Sequence, residues 1–497
     1  MTHEVELKFD VEPGGAVAIR RAEPLAAAVA EAEIHDTLYF DTEDFGLRRA
    51  GFSLRVRRSG KRFVQTVKSR KPGSAGLFVR REWESEVPRF ALDRGALNAT
   101  PLRRWLASDE ASELLPLIRT KFRRTRWLIE QEGSRIEVVL DEGQLASGKH
   151  KAALDELELE LLAGKPAALF ALAERIGAVA PLRLAVRSKA DRGYALAEGR
   201  LKRAARAESI RLHPPISQAD AFHTIAHSCL RHFRLNENVL LQGRNAEALH
   251  QARVALRRLR SALSLFRPAL AGKDYQALRE ELRWFAAQFS DARNVDVLLD
   301  RLGDDDPDLR AALLEVRGQA YEKLEAALAS DKARRLMLRL SLWIETGPWR
   351  FRERGAKDLA LLAEKQLERR WRRIVRRGDG LRRLDAESRH QLRLDIKKLR
   401  YATEFLAPLH AAKPLSARRD RFISALKALQ EQLGALNDAW TAELMAARLP
   451  PGLRSALSGL HASPESKRAL ATAERALRRA SGAAGYWEGQ SAKALRE

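Results

Sequence analysis

Between His3 and Leu162 the chain alternates apolar and polar residues in seven short runs: HEVELKF (3–9), FSLRVRR (52–58), RFVQTVKS (62–69), LFVRREWESEV (77–87), RRTRWLIE (123–130), SRIEVVLDEG (134–143) and LDELELELL (154–162). A period of two predicts strands that bury one face. Turn residues such as Lys71-Pro72-Gly73-Ser74 separate several of them. Two stretches, around Thr100–Leu115 and Pro166–Ile176, read as helices. The first 200 residues therefore predict an antiparallel sheet or barrel with flanking helices. A basic connector, 201–216, contains Pro214-Pro215. Beyond it the apolar positions recur at helical spacing to the C-terminus, with breaks at Asp304-Asp305-Asp306-Pro307, Gly347-Pro348, Gly378-Asp379-Gly380, Lys413-Pro414 and Pro450-Pro451. The expected fold is α+β and multidomain: a sheet domain over 1–200, a linker over 201–216 and an all-helical domain over 217–497.

The helical half repeats itself. HQARVALRRLR (250–260) returns 140 residues later as HQLRLDIKKLR (390–400), and QFSDARN (288–294) returns as QLGALND (432–438). Two copies, about 217–350 and 351–497, imply two bundles related by a pseudo-twofold axis.

Charge sharpens this division. The net charge is +24. Residues 1–200 hold 34 Lys+Arg and 30 Asp+Glu, a net of +4, which leaves 56 basic and 36 acidic residues, a net of +20, for the rest. Such an excess suits a polyanionic partner. The single cysteine, Cys229, excludes a disulfide framework and a cysteine-rich metal site. No signal sequence or apolar run of about 18 residues is evident, so a reducing cytoplasm is expected and a membrane is not.

The candidate chemistry lies in strands whose charges share a face. Glu4, Glu6 and Lys8 alternate with Val5, Leu7 and Phe9. Arg55 and Arg57 form a similar set, as do Arg80, Glu82 and Glu84, then Lys121 and Arg123, then Glu137 and Asp141, then Glu156, Glu158 and Glu160. Lys68 ends a strand. Some strands are purely basic and others nearly pure carboxylate, so a closed sheet with these faces inward would be a tunnel lined by both signs. Clustered carboxylates bind Mg²⁺ or Mn²⁺ through oxygen, and arginine and lysine hold phosphate. Hydrolysis of a phosphoanhydride asks for in-line water and charge neutralisation more than for a protein nucleophile.

These residues, from Glu4-Val5-Glu6-Leu7-Lys8 to Ser188-Lys189-Ala190-Asp191-Arg192-Gly193-Tyr194, resemble the CYTH domain of the triphosphate tunnel metalloenzymes. The resemblance implies an eight-stranded antiparallel tunnel that binds a linear triphosphate and a divalent cation, Mg²⁺ or Mn²⁺. It implies Glu4, Glu6, Asp141, Glu156 and Glu158 as metal residues, with two of Glu156, Glu158 and Glu160 reaching the ion. It implies Lys8, Arg55, Arg57, Lys68, Arg80, Lys121, Arg123 and Lys189 as phosphate residues, with Glu82 beside them. Glu4, Glu6 and Lys8 form its catalytic core, and the general base stays unassigned.

In the helical half, His250, Arg253, Arg257 and Arg260 fall within an arc of roughly 80° on a helix, opposite Leu256, Leu259, Leu263 and Phe266. His390, Arg393, Lys397 and Arg400 repeat the stripe. Neither stripe contains an acid, and each is about 15 Å long, enough for several successive phosphates. No nucleic-acid recognition motif accompanies them. The repeat resembles a CHAD domain over roughly 217–497, which implies two four-helix bundles around a basic cavity for inorganic polyphosphate. One departure is Phe289-Ser290 with Arg293-Asn294, where that family reads leucine-glycine then arginine-aspartate. Together the halves resemble bacterial CYTH–CHAD inorganic triphosphatases. A cytoplasmic triphosphatase is expected, associated with polyphosphate granules where these form. The alternatives are a non-catalytic polyphosphate binder, or a thiamine triphosphatase, nucleoside triphosphatase or class IV adenylyl cyclase activity.

Overall fold

The computed structural model describes residues 3–69, 75–108, 113–302, 306–446 and 465–488, without the side chains of 3, 4, 79, 80, 435–446 and 465–467. The chain forms two compact units. The first comprises Met1–Ala205 together with Arg234–Gly243 and Ala329–Thr346, so two pieces of the helical half belong to it; the second comprises the remainder.

The first unit is built on nine strands: β1 (His3–Val11), β2 (Glu31–Asp41), β3 (Phe52–Ser59), β4 (Arg62–Ser69), β5 (Leu77–Glu86), β6 (Leu115–Gln131), β7 (Ser134–Ser147), β8 (His150–Ala163) and β9 (Leu182–Leu184). Their order is β5-β4-β3-β2-β6-β7-β8-β1-β9, and β1 also pairs with β5. The first eight strands therefore close into an antiparallel barrel, and β9 is a short addition on β1. Closure leaves the barrel without free edges. Against the sequence expectation there is one further long strand, β2. Its apolar alternation is interrupted by buried Asp36, Thr37 and Asp41. Asp41 is satisfied there by the backbone N–H groups of Thr42, Leu47 and Arg48. The helix expected around Thr100–Leu115 is shorter, Leu102–Leu106, and Leu115 already begins β6. Outside the barrel, Phe40, Leu47, Leu54, Val56, Val67, Leu97, Leu102 and Trp105 form a core between the sheet and this helix. Each such buried side chain contributes about 1.5–3 kcal/mol.

Helices α1 (Ala167–Gly177) and α2 (Lys189–Ala197) complete the sheet region. The helical region continues with α3 (Gln218–Leu240), α4 (Ala246–Leu265), α5 (Lys273–Gln288), α6 (Ser290–Leu302), α7 (Pro307–Ala329), α8 (Asp331–Thr346), α9 (Leu359–Gly378), α10 (Ala386–Phe405), α11 (Lys413–Ala446) and α12 (Glu465–Ala483). The repeated motif starts two helices in the same way. Asn245 caps α4 by accepting from Ala248 N, and Asp385 caps α10 by accepting from Ser388 N, each five residues before the repeated histidine. The two helices pack on each other within the second unit, where Arg258 pairs with Glu404 at 3.2 Å. At the second echo the copies diverge. The first copy ends a helix at Gln288 and restarts at Ser290, whereas α11 runs unbroken through Leu433-Gly434. Gly434 leaves room there for the Arg393 guanidinium, which a Cβ would approach at 3.4 Å. No helix among the described residues is long and apolar enough to cross a membrane.

Gly143 of β7 sits opposite Phe122 of β6. A Cβ there would lie 2.2 Å from the Lys121 carbonyl oxygen and 2.5 Å from the Phe122 Cα, both backbone atoms that cannot move aside cheaply. Gly143→Ala is expected to destabilise the first unit by about 1–3 kcal/mol in urea unfolding. Gly177→Ala, with nothing within 4 Å of its Cβ, serves as the neutral control.

Candidate active site

Register decides which side chains share the barrel interior. Arg124 lies opposite Asp141, Asp141 opposite Glu156, and Glu158 opposite Lys8. Directly opposed residues of antiparallel strands point to the same face. These groups form one buried network. The Lys8 ammonium lies 2.9 Å from Glu6 and 3.8 Å from Glu156, and donates a short hydrogen bond to Glu158. The Lys189 ammonium lies 2.8 Å from Asp141, 3.3 Å from Glu156 and 2.8 Å from Glu158. Arg124 holds Asp141 with two parallel bonds of 2.8 and 2.7 Å and reaches Glu158 at 3.3 Å. Glu160, half-buried, is opposite Glu6 one step further along the wall.

Lys189 reaches this network from the first turn of α2. Ser188 and Asp191 cap that turn reciprocally: Ser188 Oγ accepts from Asp191 N, and Asp191 Oδ2 accepts from Ser188 N. One helical turn on, Tyr194 donates to Asp41 at 2.7 Å and pins the helix to β2. The aromatic floor is Phe122. Its ring centroid is 5.5 Å from the Lys189 ammonium and 5.6 Å from the Arg124 guanidinium.

Four carboxylates (Glu6, Asp141, Glu156, Glu158) thus face three cations (Lys8, Lys189, Arg124). The surplus shows at Glu156, which has no exposed surface and whose Oε2 has no hydrogen-bond partner among the described residues. Burial, helped by the neighbouring Glu158 charge, pushes its carboxyl up to about 7. Burial also opposes ionisation of Glu158, but Lys189, Lys8 and Arg124 overcome it and hold this group well below the usual range. Asp141 is likewise held down by Lys189 and Arg124 against its burial. An orphaned oxygen in an all-oxygen donor set fits a hard divalent cation.

The facing wall is basic. Lys68 pairs with Glu82. Arg55 is half-buried, and against that burial Tyr39, Glu82 and Glu84 raise its guanidinium above its ordinary value. Arg57 is different. Burial first, then Arg55 and Arg124, push it down to about 10. It makes no hydrogen bond or ion pair with any described residue. An enclosed guanidinium beside two others, with no hydrogen-bond partner among the described residues, is a setting that an anion would relieve.

Other sequence-predicted residues lie elsewhere. Lys121 and Arg123 are exposed on the outer face of β6; the strand sends Thr120, Phe122 and Arg124 inward instead. The alternation misled because Lys121 and Arg123 lie outside while an aromatic, Phe122, and the next arginine, Arg124, lie inside. Glu4 and Arg80 are paired across β1 and β5, and their side chains lie outside the described residues. Arg124 and Phe122 were missed; the adjacency of Arg123 and Arg124 left the phase of the strand open.

In the second unit His250, Arg253 and Arg257 line up half-buried on α4 and are joined by Arg293 of α6. Burial and these arginines push His250 down to about 4 and Arg253 to about 10. Arg253 donates to the Phe289 carbonyl at 2.8 Å, while Arg257 and Arg293 make no side-chain hydrogen bond or ion pair with described residues. Arg260 turns toward Arg279 and Arg283. In the second copy His390, Arg393 and Lys397 occupy the matching half-buried positions, whereas Arg400 is engaged by Glu404 and by Gln430 at 3.2 Å.

Residues 2–194 match the family model of the CYTH domain, and residues 224–447 that of the CHAD domain. The chain is a CYTH domain followed by a CHAD domain. It is similar to the inorganic triphosphatase of Haemophilus influenzae, with 31% identity over 207 residues that cover 39% of this chain and 55% of that protein. The chain thus spans about half the length of this curated relative. Among solved structures, the CHAD domain of Ricinus communis is 28% identical, covering 55% of this chain and 96% of its own, with a TM-score of 0.49. HpAC1 of Hippeastrum, an adenylyl cyclase candidate with a dominant triphosphatase activity, is 21% identical, covering 40% of this chain and 97% of its own, with a TM-score of 0.30.

The raised carboxyl of Glu156 has a pH signature. Between its ordinary value of 4.5 and about 7 the folded chain keeps a proton that the unfolded chain releases. Its contribution to stability is therefore full below 4.5 and lost as pH rises through 7. Glu158 and Asp141 act oppositely, losing theirs as pH falls below the ordinary carboxylate range. In metal-free buffer, Glu156→Gln should gain Tm relative to the native chain as pH is raised from about 4.5 to 7.5. Parallel Tm profiles would show that Glu156 is not strained.

Proposed function

We propose that the first unit is a divalent-metal-dependent triphosphatase that cleaves inorganic triphosphate to pyrophosphate and phosphate, and that the second unit binds polyphosphate. The observation that carries the reading is the opposed imbalance inside one closed barrel. One wall has a carboxylate too many, and on the other Arg57, with Glu84 as its one acidic neighbour acting through space, makes no ion pair or hydrogen bond among the described residues. A metal-bound phosphate chain satisfies both. The match to the CYTH domain and the likeness to an inorganic triphosphatase support the same reading.

Glu6, Asp141, Glu156 and Glu158, with Glu4, would hold Mg²⁺ or Mn²⁺, which when bound neutralises phosphate oxygens and polarises the reacting phosphorus. The chain's own cations do the rest. Arg55, Arg57, Lys68 and Arg124 clamp the phosphates. Lys8 and Lys189, freed in part from the carboxylates, turn toward the anion. The barrel wall excludes bulk water, which strengthens every one of these contacts.

Phosphate release from triphosphate, ATP and thiamine triphosphate should be compared in Mg²⁺ and Mn²⁺. Triphosphate should turn over best, and Glu6→Ala or Glu158→Ala should abolish release. No release from any of them would favour a protein that only holds polyphosphate. Arg57→Ala should raise KM for triphosphate by roughly tenfold to a hundredfold, the value of one charge-assisted contact. In the second unit, Arg257→Ala/Arg293→Ala should weaken polyphosphate binding by at least tenfold and flatten its salt dependence. DNA at matched phosphate concentration should compete poorly; equal competition would move the second unit to a nucleic-acid role.

A further inference from the structure

His35 is a buried titratable group at the tunnel wall that the scheme above does not use. It lies on β2 opposite Ser59 of β3 and Phe122 of β6. It is 3% exposed, and its ring packs on Phe122 with centroids 5.4 Å apart. Nε2 lies 2.5 Å from Glu33 Oε1, while the buried Nδ1 has no hydrogen-bond partner among the described residues. Glu33 is fixed in turn by the Ser59 hydroxyl. The charged groups that face the ring are Glu33 of its own strand, Arg57 of β3 and Arg124 of β6. Asp36, the next residue, points to the other face and pairs with Arg119 and Arg58.

We propose that His35 is a substrate-positioning residue, which takes up a proton at its unpartnered nitrogen as a phosphate chain settles between Arg57 and Arg124. The proposal rests on the triphosphate reading of the tunnel. In the empty barrel a third cation beside two arginines is unfavourable, and burial together with Arg124 and Arg57 pushes the imidazole down to about 4. A polyanion between those arginines reverses the local potential. Glu33 already holds Nε2 and becomes the partner of the imidazolium. The proton comes from hydronium or the buffer acid, whose bond to it breaks as the Nδ1–H bond forms, and no bond of the phosphate chain changes. The added charge tightens the grip on the chain without His35 touching the anhydride, so its effect belongs to binding and not to the chemical step.

The test is calorimetric titration of the full chain with tripolyphosphate at pH 5.5 in EDTA, in two buffers of different ionisation enthalpy. The difference between buffers counts the protons taken up. The native chain should take up on the order of one proton more than His35→Gln. In turnover assays His35→Gln should raise KM several-fold at pH 5.5, leave KM unchanged at pH 8, and leave kcat unchanged at both. Glu33→Gln, which keeps the imidazole, should lower the uptake and serves if His35→Gln does not fold. Equal proton uptake with tripolyphosphate binding retained would overturn the proposal while leaving the tunnel reading intact. Failure of tripolyphosphate to bind the native chain both in EDTA and with Mn²⁺ present would overturn the tunnel reading and this proposal together.

Discussion

Mutual neutralisation inside the barrel is the constraint on which the first unit depends. Asp141, Glu156 and Glu158 are almost entirely removed from water, a position that costs several kcal/mol for an unpaired charge. They persist because Lys8, Lys189 and Arg124 lie among them. Each of these cations comes from a different element: Lys8 from the first strand, Arg124 from the middle of the longest hairpin, Lys189 from the start of a helix after the last strand. The network therefore ties the two ends of the sheet domain to its centre. The capping box at Ser188 and the Tyr194–Asp41 bond are small features by energy, yet they set where the Lys189 ammonium lies.

The same bookkeeping distinguishes a structural ion network from a site. Asp296 with Arg317 and Tyr321 is balanced and closed. The barrel interior is not, because its carboxylates outnumber the cations that reach them while Arg57 stands apart. The first-copy stripe of the second unit carries the simpler form of this imbalance, several cations with little opposing charge. Such surfaces are unfavourable alone and become favourable on meeting an extended anion.

Much of this was legible in the chain. The strand pairs β3–β4 and β7–β8 show clean alternation, and the internal repeat marks both α4 and α10 with their caps and stripes. What failed did so for physical reasons. β2 hides because Asp36 and Asp41 are buried by specific partners, which no hydropathy pattern anticipates. β6 shows its charges to solvent at Lys121 and Arg123 and hides one at Arg124, so period two could fix the spacing but not the phase. Arg293 joins His250 from another helix, a proximity that only packing creates. The continuous α11 at Leu433-Gly434 reflects a glycine used for close approach to Arg393 and not for a turn.

The central claim is that the barrel takes up a divalent cation and a phosphate chain together, each completing the charge of one wall. Mn²⁺ binding followed by electron paramagnetic resonance, with and without tripolyphosphate at a temperature too low for turnover, measures this coupling directly. The account predicts Mn²⁺ bound at least tenfold more tightly when tripolyphosphate is present, and loss of that gain in Glu158→Gln. Mn²⁺ affinity that is the same with and without tripolyphosphate in the native chain would contradict it.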